Sequence, residues 1–484
     1  MTEVDVECCF HSSEPTSTQL PEKDFTEILH YDILYLIGEY FATDKKTLRS
    51  LVLCCRRFYA TFTPLLYSSV QLRGFSTVCP LFKVVYGSSE LRDFISHVEF
   101  GPAEGHSFWD MDVDIVSRPE EVEVLSTMLS DAMDSGIVSE GEEAEWRRRL
   151  ERGVSLAWYA LFLPKLSNLK SITVHYDTDP SNHQVHDLIE RASEGQKPFA
   201  TQAFPFLHHA IIKTRWIYPH IAVLAPYFKM SSMRKLSIIS SHLLSNSIST
   251  NTNYPAIESF QGRSTVRELQ LEDVVCDEHP VLGMIQWCKE LNSFVLRITS
   301  IARVAHSGLF AIYAELKKHS RTLKTIRIDT SPYTPYVSRD YVKFLGSFSD
   351  FSRLKCLQLP LPCFVDTDTL SEVIGTPVNI VESSVNLKDI LPASLEKLII
   401  CKCGDVSMMR GFLPKLEIFV IEANTYTPSL RQLTLDEFPV QLFYVFTEGQ
   451  REDKSSSFFE KCRKSQISFT WSTEPCNGGR LVSV

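Results

Sequence analysis

The chain has 484 residues, of which 44% are hydrophobic and 22% are charged, and its formal net charge is −10 at pH 7. This balance is typical of a chain that buries a hydrophobic core, and the length allows about three average domains or one continuous repeat body. No run of about 18 uncharged apolar residues occurs, which argues against a membrane-spanning helix. With only 19 glycines, a glycine-rich phosphate-binding loop is not favoured.

One segment carries the charge imbalance. Residues 102–151 contain 14 acidic residues and four arginines, so the net charge of this segment equals that of the whole chain. The remaining sequence is neutral overall. It therefore predicts no broad basic surface for nucleic acid or anionic lipid, and we expect neither a nucleic-acid nor a membrane partner.

The cysteines and the first residues indicate the compartment. The 13 cysteines are scattered or grouped at 8–9, 54–55 and 401–403, and none has the C-x2-C spacing of common zinc sites. The opening MTEVDVECCFHSSEPTSTQLPEKD lacks the basic and apolar regions of a secretory signal. We therefore expect a cytoplasmic or nuclear protein with reduced thiols and without a cofactor or metal.

A helical module is predicted near the start of the chain, at 23–72, after a disordered tail at 1–22 that is rich in Ser, Thr, Glu and Pro. The module contains a first predicted helix at about 31–42. A second predicted helix runs through TLRSLVLCCRRFYATF (47–62), and Asp44 can cap its start. Two helices with such wide apolar faces carry more apolar surface than one hairpin can bury. That surface is expected to meet the rest of the chain or another protein. The first helix, at about 31–42, places these apolar side chains on an arc of about 160°: Ile33, Leu34, Leu36, Ile37, Tyr40 and Phe41.

From about residue 91, a short apolar-x-x-apolar-x-apolar motif recurs. Its spacing is irregular but near the unit length of a helix-containing leucine-rich repeat. Each copy predicts a strand with inward-facing apolar side chains, and stacked copies predict a curved parallel sheet with outer helices. The nine copies are ISHVEF (95–100), LKSITV (169–174), MRKLSI (233–238), VRELQL (266–271), LNSFVL (291–296), LKTIRI (323–328), LKCLQL (354–359), LEKLII (395–400) and LEIFVI (416–421).

The predicted fold class is α/β: a helical module followed by an irregular leucine-rich-repeat solenoid at 73–446. An acidic insert at 102–155 interrupts the solenoid, and 447–484 form a C-terminal cap with a helix and the strand QISFTW. The register of the repeats between 175 and 265 stays open. Helices are predicted at HPVLGMIQWCKEL (279–291), SGLFAIYAELKKH (307–319), DYVKFLGSFSDF (340–351) and IYPHIAVLAPYF (217–228), the last broken by Pro226.

Catalytic motifs are absent from the sequence. It contains no G-x-S-x-G, H-E-x-x-H, P-loop or dinucleotide fingerprint, so we predict that the chain is not an enzyme. A hydrolase whose residues meet only in three dimensions remains an alternative. Asp110, Asp112 and Asp114 imitate a calcium loop, but Ile115 stands where the loop needs glycine, so a solvated acidic loop is the better interpretation.

The N-terminal helices resemble a known family. Leu29-His30-Tyr31-Asp32-Ile33-Leu34 resembles the L-P-x-E-I-L opening of an F-box. The segments IGEYF, TLRSLVLCCRRFY and TPLLYSSV that follow are similar to the rest of that motif in fungal F-box proteins with degenerate leucine-rich repeats. The layout of an F-box followed by irregular repeats extends the resemblance along the chain. His30 departs from the family, which usually has proline there to shape the start of the helix.

The resemblance implies the substrate-recognition subunit of a cullin–RING (SCF-type) ubiquitin ligase. Its F-box would dock on a Skp-type adaptor and through it on a cullin, and its repeats would bind a target protein. The alternative keeps the fold but makes the protein a non-degradative interaction scaffold whose helical module only caps the solenoid. Some of the implied adaptor contacts, Leu51 and Val52 above all, are equally suited to the core of the module. The implied adaptor contacts are Leu29, His30, Ile33, Leu34, Ile37, Leu48, Leu51 and Val52.

The inner face of the predicted arc is the expected target-binding surface, because its strands present side chains on a rigid platform. Residues that follow the strand cores are the predicted contacts, although each is also compatible with an ordinary solvated loop. These residues are His175, Tyr176, Asp177, Glu272, Asp273, Asp329, Lys402 and Glu422.

Overall fold

In the computed structural model, the chain forms two compact units, one ending at Ser69 and the other beginning at Val70. The predicted boundary at residue 72 lies three residues further along. The predicted disordered tail and the imitation calcium loop at 110–114 lie outside the described residues. The structure describes residues 29–73, 81–82, 84–101, 119–139, 141–152, 154–176, 184–199, 203–214, 221–240, 243–244, 261–273, 275–276, 278–298, 306–330, 344–365, 385–439, 442, 456–472 and 482–483.

In its described part, residues 29–69, the first unit contains three helices, α1 (Tyr31–Tyr40), α2 (Lys45–Val52) and α3 (Arg56–Tyr67). Asp44 caps α2 as predicted, because its carboxylate accepts the N–H of Thr47 at 3.0 Å. The prediction of one continuous helix through 47–62 is wrong. The chain leaves the helix after Val52, and the sulfur of Cys55 accepts the N–H of Phe58 at 3.5 Å to start a new one.

The second unit is built on a large, mostly parallel sheet. The strands are β1 Ser69–Arg73, β2 His97–Gly101, β3 Ser171–Tyr176, β4 His209–Thr214, β5 Lys235–Ser240, β6 Leu243–Leu244, β7 Glu268–Glu272, β8 Val275–Cys276, β9 Ser293–Ile298, β10 Thr325–Thr330, β11 Cys356–Pro360, β12 Lys397–Cys401, β13 Gln432–Leu435, β14 Ser468–Trp471 and β15 Val482–Ser483. Within the described residues, thirteen strands form this sheet in the order β1-β2-β3-β4-β5-β7-β9-β10-β11-β12-β13-β14-β15, and β6 pairs with β8 separately. Strands that are neighbours in the sheet pair in parallel from β2 to β14, and β15 pairs antiparallel with β14.

The strands alternate between two faces of the sheet. In β3, Ile172 and Val174 are buried, whereas the side chains between them are partly exposed. Because Ile172 lies opposite Ala210 of β4 and the same register continues along the sheet, the buried residues form one continuous layer. The other side, called the open face below, presents the partly exposed residues.

Helices connect the strands of the second unit. The helix Ser155–Phe162 is buried on all sides through Trp158, Tyr159 and Phe162, which is typical of a core helix. The described part of the acidic insert is largely helical. The helices are α4 Ser89–Phe94, α5 Pro119–Asp134, α6 Glu143–Glu151, α7 Ser155–Phe162, α8 Gln184–Glu194, α9 Ile221–Lys229, α10 Glu278–Trp287, α11 His306–Lys318, α12 Leu387–Ile390, α13 Val406–Tyr426 and α14 Ser456–Lys464.

Eight of the nine motif copies contain strands of the sheet, so the repeat pattern is confirmed at those positions. The ninth prediction, LEIFVI (416–421), is wrong because this segment lies inside α13. Its buried residues Leu416, Phe419, Val420 and Ala423 follow the helical spacing of three and four. The sheet also contains β4 and β13, which the nine copies do not include.

The helix predictions have mixed outcomes. Those at 279–291 and 307–319 are confirmed by α10 and α11, and the helix and strand predicted within 447–484 are present as α14 and β14. The prediction at 340–351 is wrong in its described part, because 344–351 is not helical. Pro226 does not end its helix but lies within α9.

Candidate protein-binding surfaces

The three-helix unit has its own small core. Leu34, Leu48, Phe62 and Leu65 are buried together at its centre. Leu29, Phe41, Leu51, Val52, Phe58 and Leu66 are partly buried and pack against them. The unit therefore uses one side of α1, the side of Leu34 and Phe41, for its own packing.

A second apolar side of α1 remains exposed. We call Ile33, Leu36, Ile37 and Tyr40 the α1 apolar face. At about 100° per residue these side chains share an arc of about 100°. Ile33 is 47%, Leu36 63% and Tyr40 84% exposed. Exposed apolar residues that cluster in this way typically mark a protein contact.

The eight positions implied for adaptor contact divide into three groups. Ile33, Ile37 and His30 are exposed. Leu29, Leu51 and Val52 are half-buried against the core of the unit. The structure places Leu34 and Leu48 inside instead, so the expectation that their side chains are available for docking is corrected.

Two exposed residues of the α1 apolar face lie outside the set implied for adaptor contact. They are Leu36 and Tyr40 on α1 itself. The signal for them was present in the sequence as the i, i+3, i+4, i+7 spacing from Ile33. Leu53, at the end of α2, is also strongly exposed.

The open face of the sheet carries part of the predicted target site. His175 and Glu272 are partly exposed there. Tyr176 is a wrong prediction, since it is buried on the covered face, where its hydroxyl lies 3.0 Å from that of Tyr227. The prediction of Glu422 as a target contact after a strand is also wrong, because Glu422 belongs to α13 and its carboxylate pairs with Lys388 at 3.3 Å. Asp177 lies outside the described residues.

Two predicted target residues occupy left-handed turns directly after strands. Asp273 has a φ of 54° after β7, and Lys402 has a φ of 59° after β12. Such a backbone is uncommon for residues other than glycine and is often found at functional positions. The ammonium of Lys402 lies 2.6 Å from the carboxylate of Glu437, which holds this turn against the next repeat.

Asp329 is a half-buried acid on the open face. The guanidinium of Arg297 lies 4.0 Å from its carboxylate. Burial raises the pKa of the Asp329 carboxyl above its ordinary value, and the charge of Lys402 opposes this shift. The result is an incompletely compensated carboxylate, which favours contact with a cationic group.

Glu99 organises the polar side chains near the start of the sheet. Its carboxylate accepts the side chain of His175 at 3.0 Å and that of Lys213 at 2.9 Å. The hydrogen bond from His175 and the contact with Lys213 lower the pKa of Glu99 to about 2. Glu99 is therefore ionised at neutral pH and fixes the side chains of His175 and Lys213 on the open face.

The described residues include buried cysteines as well as dispersed His, Asp and Glu side chains. No group of three or more His, Cys, Asp or Glu side chains there is arranged to hold a metal ion. Burial raises the pKa of Cys288 and of Cys462 to about 12, so these thiols stay protonated and poorly nucleophilic at neutral pH. None of the helices in the same residues combines the length and apolar character needed to cross a bilayer.

The stacked strands and covering helices define an α/β repeat protein in which each unit adds one strand to a shared sheet. Residues 194–442 match the family model for the leucine-rich repeat domain. Since this match covers slightly more than half of the chain, the protein belongs to the leucine-rich repeat family. Domains of this family typically bind protein partners. A comparison with curated proteins found no match.

Proposed function

We propose that this protein is the substrate-recognition subunit of a cullin–RING ubiquitin ligase. Its three-helix unit acts as an F-box that docks on a Skp-type adaptor, and the adaptor connects it to a cullin. The repeat unit binds a target protein on the open face of its sheet. The chain acts in the cytoplasm or nucleus, and ubiquitin transfer is performed by its partners without a cofactor bound to this chain.

The observation that carries the proposal is the exposure of the α1 apolar face. Burying an Ile or Leu side chain is worth about 1.5–3 kcal/mol. Ile33, Leu36 and Ile37, with the ring of Tyr40, can together offset much of the cost of association. The internal core of the unit does not need these residues, since Leu34 and Leu48 already fill it.

The start of α1 also supports F-box function despite the substitution at His30. His30 has φ −60° and ψ 146°, and this φ is close to the value that proline imposes. Its side chain additionally accepts the N–H of Asp32 at 3.4 Å. The helix can therefore begin as it does in proteins with proline at this position.

The scaffold alternative assigns a different cover to the same face. A module that served only to cap the solenoid would bury these apolar residues against the repeats. The three-helix unit does not cover Leu36 with its own core. In the proposed function an external protein partner covers these side chains.

Assembly with purified ligase components tests the proposal. Tagged full-length protein is mixed with a Skp-type adaptor and a cullin, and the recovered cullin is quantified with and without the adaptor. We expect adaptor-dependent recovery that Leu36→Asp removes and that Ile418→Asp, which places the same charge on an exposed residue of α13, leaves unchanged. Failure of the wild-type protein to recover the cullin contradicts the proposed function.

A further inference from the structure

The residues directly before the strands form a column along the N-terminal edge of the sheet. The backbone N–H of each donates to the carbonyl of its counterpart in the preceding repeat, for example Arg267 to Arg234 at 2.8 Å and Lys355 to Lys324 at 2.8 Å. Neighbouring positions are therefore one strand apart, about 4.8 Å. In chain order the column is Lys170, His208, Arg234, Arg267, Asn292, Lys324, Lys355, Glu396 and Arg431.

This column is strongly basic in a chain whose net charge is −10. It holds six Lys or Arg residues and a single acid, Glu396. We call the six cations the basic ladder. All six are exposed: Lys170, Arg234, Arg267, Lys324, Lys355 and Arg431.

Stability alone does not explain the ladder. Arg234 and Arg267 occupy adjacent positions, as do Lys324 and Lys355, and like charges on neighbouring strands are destabilising. Some cations have local partners: Lys355 pairs with Glu396 at 2.7 Å, and Arg267 lies 3.6 Å from Glu290. In the part of the chain that the structure describes, Lys170 and Lys324 have neither a hydrogen bond nor an ion pair from their side chains.

We infer that the basic ladder binds an extended acidic segment of the target protein. This inference rests on the proposed role of the repeat unit and adds the chemistry of what it holds. A strand-like Asp- or Glu-rich segment laid along the column can meet successive cations and relieve their repulsion. Because the contacts are exposed ion pairs, each is weak and screened by salt, and affinity comes from their number.

Two features favour an acidic polypeptide over single-stranded nucleic acid. Nucleic-acid grooves combine basic residues with aromatic side chains on which bases stack. Among the exposed aromatic residues of the described chain, only Phe206 lies within two residues of the column. In addition, Glu396 and Glu290 interrupt the positive field, which disfavours a polyphosphate backbone.

A charge-neutralising variant tests the inference. The triple variant Lys170→Gln, Arg267→Gln and Lys324→Gln removes three ladder cations. The control, Lys318→Gln, Arg410→Gln and Lys464→Gln, removes three exposed cations from helices α11, α13 and α14 and changes the net charge equally. Binding of a fluorescent 20-residue Glu/Asp peptide to each full-length protein is measured at two salt concentrations. A single-stranded oligonucleotide of equal charge serves as the second probe.

We expect the ladder variant to bind the peptide about tenfold more weakly and the control variant to match the wild type within twofold. Higher salt should reduce this difference. Equal peptide affinity for wild type and ladder variant overturns the inference, as does an equal loss in the control. Tighter binding of the oligonucleotide than of the peptide also overturns it, in favour of nucleic acid.

The same variants separate this inference from the proposed function. The ladder variant should keep its adaptor-dependent recovery of the cullin, whereas Leu36→Asp should keep peptide binding. Loss of adaptor binding with intact peptide binding therefore affects only the ligase proposal. Loss of the ladder effect alone affects only the acidic-segment proposal.

Discussion

Gly38 illustrates how one residue sets the packing of the three-helix unit. It is buried in the middle of α1, on the side that faces α3. A Cβ atom added there would lie 2.5 Å from the Leu65 side chain and 2.8 Å from the Phe62 ring. Glycine therefore lets the two helices approach closely, and this close contact is what turns the opposite side of α1 outward.

A larger residue at this position should destabilise the unit. We expect Gly38→Val to cost about 2 kcal/mol, because the buried Phe62 and Leu65 must move. Hydrogen exchange of peptides from 31–67, read by mass spectrometry, should speed up correspondingly. The control is Gly141→Val, where an added Cβ meets no atom within 4 Å and we expect unchanged protection. Unaltered exchange in Gly38→Val would argue against the packing of α1 on α3.

His186 makes the stability of the second unit depend on pH. Burial lowers the pKa of its imidazole to about 4, and the ring packs edge-on against Tyr176 with centroids 6.1 Å apart. The unfolded chain binds a proton near the ordinary pKa of 6.5, so between pH 6.5 and 4 it holds more protons than the folded chain. The contribution of His186 to the free energy of unfolding is therefore fully present above about pH 6.5 and is lost as the pH falls towards 4.

Replacing His186 should flatten this dependence. Between pH 7 and 4.5 we expect the wild type to lose about 2 to 3 kcal/mol through this group and His186→Phe to be spared that loss. Urea unfolding across the range measures it. His209, whose pKa burial also lowers to about 4, titrates in both proteins and so cancels. Parallel pH profiles for the two proteins would refute the assignment.

At the scale of elements, α13 shows why a short motif is not decisive. LEIFVI has the same letter pattern as the strands, but its flanks continue a helical period from Met409 through Phe412 and Leu416 to Phe419 and Ala423. A six-residue window fits both structures, and only the longer stretch separates them. Eight strands were predictable because each overlaps a copy of the motif, whereas β4 and β13 lie outside the nine copies.

Two substitutions in α13 distinguish helix from strand. In a strand of this motif, Ile421 would face inward with Phe419, and Val420 would lie on the open face. In the helix, Ile421 is 53% exposed and Val420 is buried. We expect Ile421→Asp to change the free energy of unfolding by less than about 0.5 kcal/mol and Val420→Ala to cost about 2 kcal/mol. Denaturant unfolding of both variants provides the test, and the reverse order of effects would restore the strand.

The candidate site was only partly predictable for a related reason. The wide apolar arc of α1 indicated surplus apolar surface, but periodicity cannot say which half of an arc packs internally. That depends on Gly38 and on the position of α3, which are matters of tertiary packing. Leu34 was consequently expected at the surface, and Leu36 was left out of the implied contacts.

At the scale of the whole molecule, the net charge of the sequence does not reveal that basic side chains are concentrated in the basic ladder. Outside 102–151 the sequence is neutral overall, which predicted no basic surface. Stacking the repeats brings residues such as Arg234, Arg267 and Lys324 from distant parts of the chain into one column. The sequence contains a sign of this, since a basic residue follows the first apolar residue of many motif copies. These basic residues form a column only because the strands pair in parallel and in register.

The central claim is that the α1 apolar face docks on a Skp-type adaptor. Its most direct test is the dissociation constant of full-length protein with purified adaptor, measured by calorimetry for the wild type, Leu36→Asp and the control Ile418→Asp. We predict saturable binding by the wild type and the control, and an affinity at least 100-fold lower for Leu36→Asp, since loss of one buried anchor costs about 3 kcal/mol or more. Equal affinities of Leu36→Asp and the wild type, or no binding by any of the three proteins, would contradict the claim.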